Sequence, residues 1–178
     1  MAPKQTLASP HPINIAVLTI SDTRTASSDT SGDLLVERLQ RAGHALHERC
    51  IVTDNRYLIR SKLSQWIAAP TVNVILTTGG TGITTRDITP EAVRPLLDKE
   101  IEGFGEAFRW LSYADIQTSS LQSRALAGIA NGTYLFCMPG STHACATGWD
   151  KIIQQQLDYT HTPCNLVELI ARATPHLS

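Results

Sequence analysis

The sequence predicts an α/β fold in which helices cover both faces of a mostly parallel sheet. Short apolar runs of strand length alternate with longer segments whose apolar residues recur at helical spacing. The strand-like runs are almost continuously apolar, which is typical of parallel strands that are buried on both faces. With 178 residues, the chain is long enough to form one domain of this kind with a substantial core.

The first half of the chain is predicted to contain three strands and two helices. Runs rich in β-branched and other apolar residues predict strands over residues 13–20, 48–52 and 72–77. Between these runs, apolar residues at intervals of three and four predict helices over residues 32–41 and 57–68.

The middle of the chain is predicted to be mainly helical. Thr89 is expected to be the N-cap of a helix whose first helical position is Pro90, and Pro95 ends or bends this helix. A further helix is expected after Gly105, and residues 119–130 are expected to be partly helical.

The last part of the chain is predicted to contain one strand and two helices. The apolar run TYLFCM predicts a fourth strand over residues 133–138. Apolar residues at 3.6-residue spacing predict a long amphipathic helix over residues 142–158, and a last helical segment covers residues 166–173. We assign residues 1–12 to a flexible lead-in and residues 13–178 to a single domain.

Charge and hydropathy argue against two classes of partner. The formal net charge of -1 gives no bulk attraction to nucleic acid or to a membrane surface. No apolar run approaches the roughly 20 residues that a membrane-spanning helix requires, and MAPKQTLASPHP at the start has no apolar signal core. We therefore expect a cytoplasmic protein that binds neither nucleic acid nor membrane.

The most informative motif is the block VILTTGGTGITTRDITPE, at residues 74–91. An apolar run ends there in TTGGTG, and Asp87 follows this glycine-rich stretch. Successive backbone N–H groups in a glycine loop form a concave site for anions. Because Asp87 would repel a bound phosphate unless a cation lay between them, the block indicates a phosphate bound together with a divalent metal ion.

The carboxyl ends of the predicted strands point to one site. In open α/β sheets, ligands bind outside these ends, at a switch in strand order. Each strand is followed by small, polar or acidic residues, namely Ser21 and Asp22, Thr53 and Asp54, Thr78 to Gly82, and Pro139 to Ser141. We therefore expect these four segments to face one pocket.

Simpler interpretations compete with this one at each position. The glycines are also typical of ordinary turns, and they match neither the P-loop nor the dinucleotide-binding fingerprint. Asp87 alternatively belongs to a solvent-exposed turn, and Asp54 to a turn or an N-cap before the helix at 57–68. For Arg86, a solvated surface position competes with a contact to phosphate.

Several segments, taken together, are similar to one known family. They are TISDTRT, TTGGTGITTRDITPEA, EIEGFGEAFR, QSRALAGIANGTYLFCMPGST and the tail DYTHTPCNL, which lie within residues 13–169. On these motifs, the chain resembles the MoaB/MogA family of molybdenum-cofactor biosynthesis proteins. The segment MPGSTHACATGWD and the tail resemble the MoaB branch more than MogA.

The resemblance implies a three-layer α/β sandwich with a molybdopterin-binding-like fold, which assembles into homo-oligomers, either trimers or hexamers. It implies that molybdopterin, a pterin with a dithiolene and a terminal phosphate, is the substrate or ligand. MogA-type members adenylylate that phosphate with Mg-ATP and release pyrophosphate. The resemblance therefore implies a nucleotidyltransferase with ATP as co-substrate and Mg²⁺ as cofactor, and other molybdenum-cofactor biosynthesis proteins as partners.

The family motifs also imply roles for particular residues. Asp54 and Asp87 are implied as the catalytic acids and as the ligands of Mg²⁺. The implied substrate- and phosphate-binding residues are Ser21, Asp22, Thr78, Gly79, Gly80, Thr81, Gly82, Ser123, Arg124, Pro139, Gly140 and Ser141.

One departure from the family pattern supports an alternative function. Where MogA-like members have L-P-G-x-P followed by a lysine, this chain has MPGSTH at residues 138–143. His143 replaces a fixed positive charge by a titratable one, which weakens the attraction for an acidic pterin. Because paralogues can keep a fold and lose its chemistry, the alternative is a non-catalytic molybdopterin-binding or scaffold protein of the same pathway.

Overall fold

The computed structural model describes residues 12–173, in which helices pack on both faces of a six-stranded sheet. The strands are β1 (Asn14–Ile20), β2 (Ala45–Val52), β3 (Val74–Thr78), β4 (Lys99–Glu100), β5 (Leu126–Ala130) and β6 (Thr133–Met138). The helices are α1 (Thr30–Arg41), α2 (Arg56–Ala68), α3 (Thr89–Val93), α4 (Glu102–Ile116), α5 (Thr142–Gly148), α6 (Gln154–Gln156) and α7 (Val167–Ala173). Residues 1–11, which make up most of the predicted lead-in, lie outside the described residues.

The sheet is mostly parallel, and its strand order switches between β1 and β3. The order is β2-β1-β3-β6-β5-β4, with β1, β2, β3 and β6 parallel to one another. β5 is antiparallel to both of its neighbours, β6 and β4. The chain leaves β1 toward one edge to form β2 and returns on the other side to form β3, so the connections diverge there. The predicted three-layer α/β fold with a mostly parallel sheet is confirmed.

The core consists of two apolar clusters, one on each face of the sheet. Ile15 and Val17 on β1 pack in the cluster that also contains side chains of α1, α4 and α5. Ala16 and Leu18 pack in the opposite cluster, with side chains of α2 and α3. Because alternate residues of a strand point to opposite faces, a strand covered on both sides must be apolar throughout.

The edge formed by β4 and β5 differs from the prediction for residues 119–130. The end of a 3₁₀ turn (Gln117–Gln122) is the helical part of this segment, and β5, which the sequence analysis did not predict, follows it. β5 pairs with β6 through a tight connection at Asn131 and Gly132, whose φ angles are 48° and 79°. Hydrogen bonding to β6 therefore decides the conformation of this short segment, whose own sequence has only a weak preference.

Helix boundaries agree with the prediction in most places and differ at Thr89. Thr89 is the first residue of α3 and does not cap it, because its hydroxyl donates to the carbonyl oxygen of Gly79 at 2.8 Å. The predicted effect of Pro95 is seen as a change from α3 to a 3₁₀ turn at Arg94–Leu96. The bond from Thr89 ties the start of α3 to the glycine-rich loop that follows β3.

The long helix predicted over residues 142–158 is present with one irregularity. A π-helical turn (Trp149–Ile153) joins α5 to α6. Trp149 and Ile153 in this turn are fully buried. Their burial explains why apolar residues recur at helical spacing in this part of the sequence. Within residues 12–173, none of the helices has the length and apolar character needed to span a membrane.

Candidate functional site

A cleft of about 370 Å³ lies at the carboxyl ends of the parallel strands, where the strand order switches. Its volume is within the range of roughly 300–1,000 Å³ that is usual for ligand pockets. The lining residues are Thr19, Ile20, Ser21, Asp22, Thr23, Arg24, Asp29, Ser31, Asp54, Thr78, Gly79, Gly80, Arg86, Asp87 and Gly140. They include residues from all four segments that the sequence predicted to converge.

The glycine loop, residues 79–82, forms one wall of the cleft. Gly79 and Gly80 have φ angles of 109° and 64°, which favour glycine. A methyl group at Gly79 would overlap the carbonyl oxygen of Ile20, so glycine is needed where the loop passes the end of β1. The Gly79 N–H donates to the carbonyl oxygen of Met138 at 3.0 Å, so the amide of Gly79 is engaged within the protein.

Asp87 folds back onto the glycine loop. Its Oδ2 accepts hydrogen bonds from the Thr84 backbone N–H at 2.9 Å and from the Thr84 hydroxyl at 2.6 Å. Burial alone would raise the pKa of Asp87, but these bonds, a backbone bond from Gly82 and the charge of Arg124 together lower that pKa. Asp87 is therefore a turn residue, as one interpretation predicted, and at the same time an ionised carboxylate at the cleft.

Asp54 faces the same cleft from the end of β2. Asn55 caps α2 by accepting from the backbone N–H groups of Tyr57 and Leu58, which leaves the Asp54 carboxylate free of that role. Asp54 and Asp22 exchange two hydrogen bonds of 3.1 Å, each from a backbone N–H to the other residue's carboxylate.

The charges of Asp54 and Asp87 act on each other across the cleft. Burial, and after it the negative charge of Asp87, raises the pKa of Asp54 above its ordinary value of 3.8. Two carboxylates in one partly buried cleft repel each other unless a cation reduces their charge. The two residues that the sequence singled out as paired acids therefore lie in one electrostatic environment.

The donor set fits magnesium bound together with phosphate. In residues 12–173, no group of three or more His, Cys, Asp and Glu side chains is arranged to hold a metal ion. Mg²⁺ commonly takes one or two protein carboxylates and completes its shell with water and substrate phosphate oxygens. Asp54 and Asp87 provide such a pair, with no imidazole or thiolate that would favour a transition metal.

The remaining predicted site residues divide into those in the cleft and those beside it. Ser21, Asp22, Thr78, Gly79, Gly80 and Gly140 line the cleft. Thr81, Gly82, Ser123, Arg124, Pro139 and Ser141 are not among its lining residues. Ser141 caps α5 by accepting from the Ala144 N–H at 3.1 Å. The binding roles of all these residues stay predictions.

Arg124 supports the loop that carries Asp87. Its Nε donates to the carbonyl oxygen of Gly82 at 2.7 Å, and its Nη2 to the carbonyl oxygen of Asp87 at 2.6 Å. Its Nη1 forms an ion pair with Glu91. These contacts hold the two ends of the segment from Gly82 to Asp87 together. All three nitrogen atoms of the Arg124 guanidinium group, which was predicted to contact phosphate, therefore have partners within the protein.

Asp29 is a cleft residue that the sequence interpretation missed. It is 1% exposed, caps α1 through the Gly32 N–H, and accepts from the Thr19 hydroxyl at 2.7 Å and from Arg49 at 2.8 Å. Burial acts to raise the pKa of Asp29, but the bonds from Arg49, Thr19 and Gly32 outweigh it and lower that pKa. The signal for it was the sequence DTSG at residues 29–32, which is typical of a helix start.

The sequence and the structure are each similar to proteins of the same family. A family model described as "Probable molybdopterin binding domain" matches residues 16–159. Molybdenum cofactor biosynthesis protein B of Escherichia coli K12 is 54% identical over 154 residues, which cover 86% of this chain and 91% of that protein.

Two solved structures of similar proteins share the fold. A crystal structure of Molybdenum cofactor biosynthesis protein B superposes with a TM-score of 0.85 at 42% identity, covering 92% of this chain and 99% of the other. The tungsten cofactor synthesizing protein MoaB from Pyrococcus furiosus gives a TM-score of 0.76 at 33% identity, covering 93% and 99%.

Fold and cleft together define a three-layer α/β protein with an acidic, glycine-walled cleft at the switch point of its sheet. The chain belongs to the MoaB family of molybdenum-cofactor biosynthesis proteins. The resemblance to this family, and to its MoaB branch, is thereby confirmed.

The close approach of the glycine loop to β1 is tested by replacing Gly79 and Gly43 separately by alanine. Both residues have positive φ angles, but only Gly79 has another atom in the way of a methyl group. Gly43→Ala is expected to lower the free energy of unfolding by about 1 kcal/mol, and Gly79→Ala by roughly 3 kcal/mol or more, as measured in urea. Equal losses would show that the loop does not need this close approach.

Proposed function

We propose that the protein binds molybdopterin and transfers the adenylyl group of Mg-ATP to its terminal phosphate. The observation that carries this proposal is the placement of Asp54 and Asp87, from separate connections of the sheet, in one cleft beside the glycine loop. The names of the relatives refer to molybdenum-cofactor biosynthesis, which supports a substrate of this class.

Adenylyl transfer requires that two anions approach each other. The attacking phosphate and the triphosphate repel one another, so a cation and fixed dipoles must offset their charge while positioning supplies much of the remaining rate. Bound Mg²⁺ would supply that charge neutralisation, and Asp54 and Asp87 are the residues that would hold it.

The two carboxylates are suited to this task in different ways. Asp87 is kept ionised and oriented by Thr84 and by the charge of Arg124, so it presents a fixed negative group. No ion pair of Asp54 is found among residues 12–173, and the pKa of Asp54 is raised by burial and by Asp87. A divalent cation would relieve the repulsion that raises this pKa, so the charge of the cleft favours binding it.

The second candidate is a protein that binds molybdopterin without turnover. It is favoured because three arginines near the cleft are engaged within the protein and are not free to stabilise the charge of a transferred phosphoryl group: Arg86 pairs with Asp22, Arg49 with Asp29, and Arg124 with the glycine loop. His143 does not line the cleft, and its Nε2 lies 3.7 Å from Asp115. These groups are therefore already paired before a triphosphate arrives, and Arg24 is the cleft arginine whose printed contacts are neutral.

The adenylylation proposal is tested by mixing the purified protein with molybdopterin, Mg²⁺ and ATP and measuring released pyrophosphate and adenylylated pterin. Asp54→Asn and Asp87→Asn are each expected to lower the rate by roughly 100-fold or more, because each removes a charge that holds the cation. Asp150→Asn is the matched control, since it neutralises an exposed carboxylate that pairs with Arg38 outside the cleft.

The same experiment separates the two candidates. Turnover that Asp87→Asn leaves unchanged would contradict the assigned site. Absence of turnover, together with molybdopterin binding in a calorimeter, would support the non-catalytic candidate. Absence of pterin binding would contradict both.

We also propose that the protein is a homo-oligomer. Trp110, Tyr113 and Ile116 recur every three residues along α4 and are exposed, and Leu121 in the adjoining 3₁₀ turn is exposed as well. Trp110 and Leu121 are each 76% exposed. Neighbouring exposed apolar side chains of this size are typical of surfaces that bury against another protein.

The oligomer proposal is tested by sedimentation equilibrium of wild type, Trp110→Glu and Leu58→Glu. Leu58 is the matched control, since it is a half-exposed apolar residue on α2. Wild type and Leu58→Glu are expected to have a mass several times that of one chain, while Trp110→Glu has a lower mass because a charge is costly in an apolar interface. A monomeric wild type would contradict the proposal.

A further inference from the structure

We propose that Arg86 is a phosphate-binding arm, which pairs with Asp22 in the free protein and exchanges that partner for the phosphate groups of the substrate. The inference rests on the proposed function, because it assigns a substrate contact in the same cleft. It replaces the interpretation of Arg86 as a solvated surface residue.

Arg86 and Asp22 form a bridge between two loops of the cleft. Arg86 lies in the connection from β3 to α3, and Asp22 in the connection from β1 to α1, and both line the cleft. The Arg86 side chain is 70% exposed, and Asp22 is its one polar partner among residues 12–173. A guanidinium group held by one contact at the rim of a cleft is free to reorient without loss of packing.

Two other guanidinium groups near the cleft, those of Arg49 and Arg124, are held more firmly. Arg49 donates to the backbone oxygen of Asp29 at 2.9 Å, to its buried carboxylate at 2.8 Å, and also contacts Asp33. Arg124 contacts two backbone carbonyl oxygens and Glu91. Removing Arg49 would leave the buried Asp29 carboxylate without this partner, and removing Arg124 would leave two partly buried carbonyl oxygens without theirs. Both losses are costly, so Arg86 is exchanged more easily than either.

The exchange is favourable because an exposed ion pair contributes little to stability. The Arg86–Asp22 pair gains only a modest Coulomb energy in solvent. A planar guanidinium group that donates two parallel hydrogen bonds to phosphate oxygens makes a stronger, charge-assisted contact. A phosphate that enters the cleft therefore competes well with Asp22 for Arg86.

The exchange also changes the charge around the two acids. Asp22 is fixed to Asp54 by the reciprocal backbone hydrogen bonds of 3.1 Å, so it stays in place when Arg86 leaves. Its negative charge is then uncompensated and adds to those of Asp54 and Asp87. Binding of phosphate through Arg86 therefore strengthens the attraction of the cleft for a cation, and by linkage a bound cation favours the release of Arg86 to phosphate.

The test measures two ligands separately by titration calorimetry at low ionic strength, with Mn²⁺ alone and inorganic pyrophosphate alone as probes. Arg86→Ala is expected to weaken pyrophosphate binding roughly tenfold, because a charge-assisted contact is lost. The same variant is expected to bind Mn²⁺ roughly three- to tenfold more tightly than wild type, because Asp22 has lost its counter-charge. Opposite changes for the two probes are the signature of the exchange.

Two further variants serve as controls. Arg24 also lines the cleft, but its guanidinium contacts the carbonyl oxygen of Ser28 and the hydroxyl of Thr30, which are neutral. Arg24→Ala uncovers no carboxylate and is expected to raise Mn²⁺ affinity less than Arg86→Ala does. Adding Asp22→Asn to Arg86→Ala is expected to remove the gain.

The outcomes distinguish this inference from the proposed function. If Asp87→Asn weakens Mn²⁺ binding but Arg86→Ala leaves both affinities within twofold of wild type, the exchange is wrong and the metal site stands. If Mn²⁺ binding is the same in wild type and Asp87→Asn, or is absent in both, the proposed site fails and the exchange fails with it. Circular dichroism establishes that each variant is folded.

Discussion

The pairing of β1 with parallel neighbours on both sides is the constraint on which the cleft depends. Ile20 at the end of β1 pairs with Val52 of β2, and Thr19 pairs with Thr78 of β3. The residues that follow each strand must therefore emerge at one level of the sheet. The connection after β1 runs toward β2 at one edge, and the connection after β3 runs toward β4 at the other edge. A gap therefore remains between these two connections, and the acidic residues and the glycine loop surround it.

The charge in this gap is unfavourable for the protein without a ligand. Burial and the charge of Asp87 raise the pKa of Asp54, so the folded state holds this proton more tightly than the unfolded state does. The contribution of Asp54 to stability is therefore full below its ordinary pKa of 3.8 and is lost as the pH rises through the raised value. A bound cation would offset this loss of stability. The repulsion between the two carboxylates therefore favours the cation binding that is proposed for the cleft.

The strands that are apolar throughout could be predicted from the sequence. The convergence of Asp54 and Asp87 could be predicted as well, because the carboxyl ends of parallel strands lie at one edge of the sheet. β5 was missed, although Asn131 and Gly132 are a strong hairpin signal, because the helical interpretation of residues 119–130 took precedence. The support role of Arg124 was not predictable, because its partners are brought together by long-range packing that residue type does not specify.

The most direct test of the central claim is anomalous diffraction from crystals grown with Mn²⁺ and a non-hydrolysable ATP analogue. The account predicts an anomalous peak between the carboxylates of Asp54 and Asp87, within coordination distance of the analogue's phosphate oxygens and beside Gly80. A peak at another place on the protein, with the nucleotide bound there instead, would contradict it.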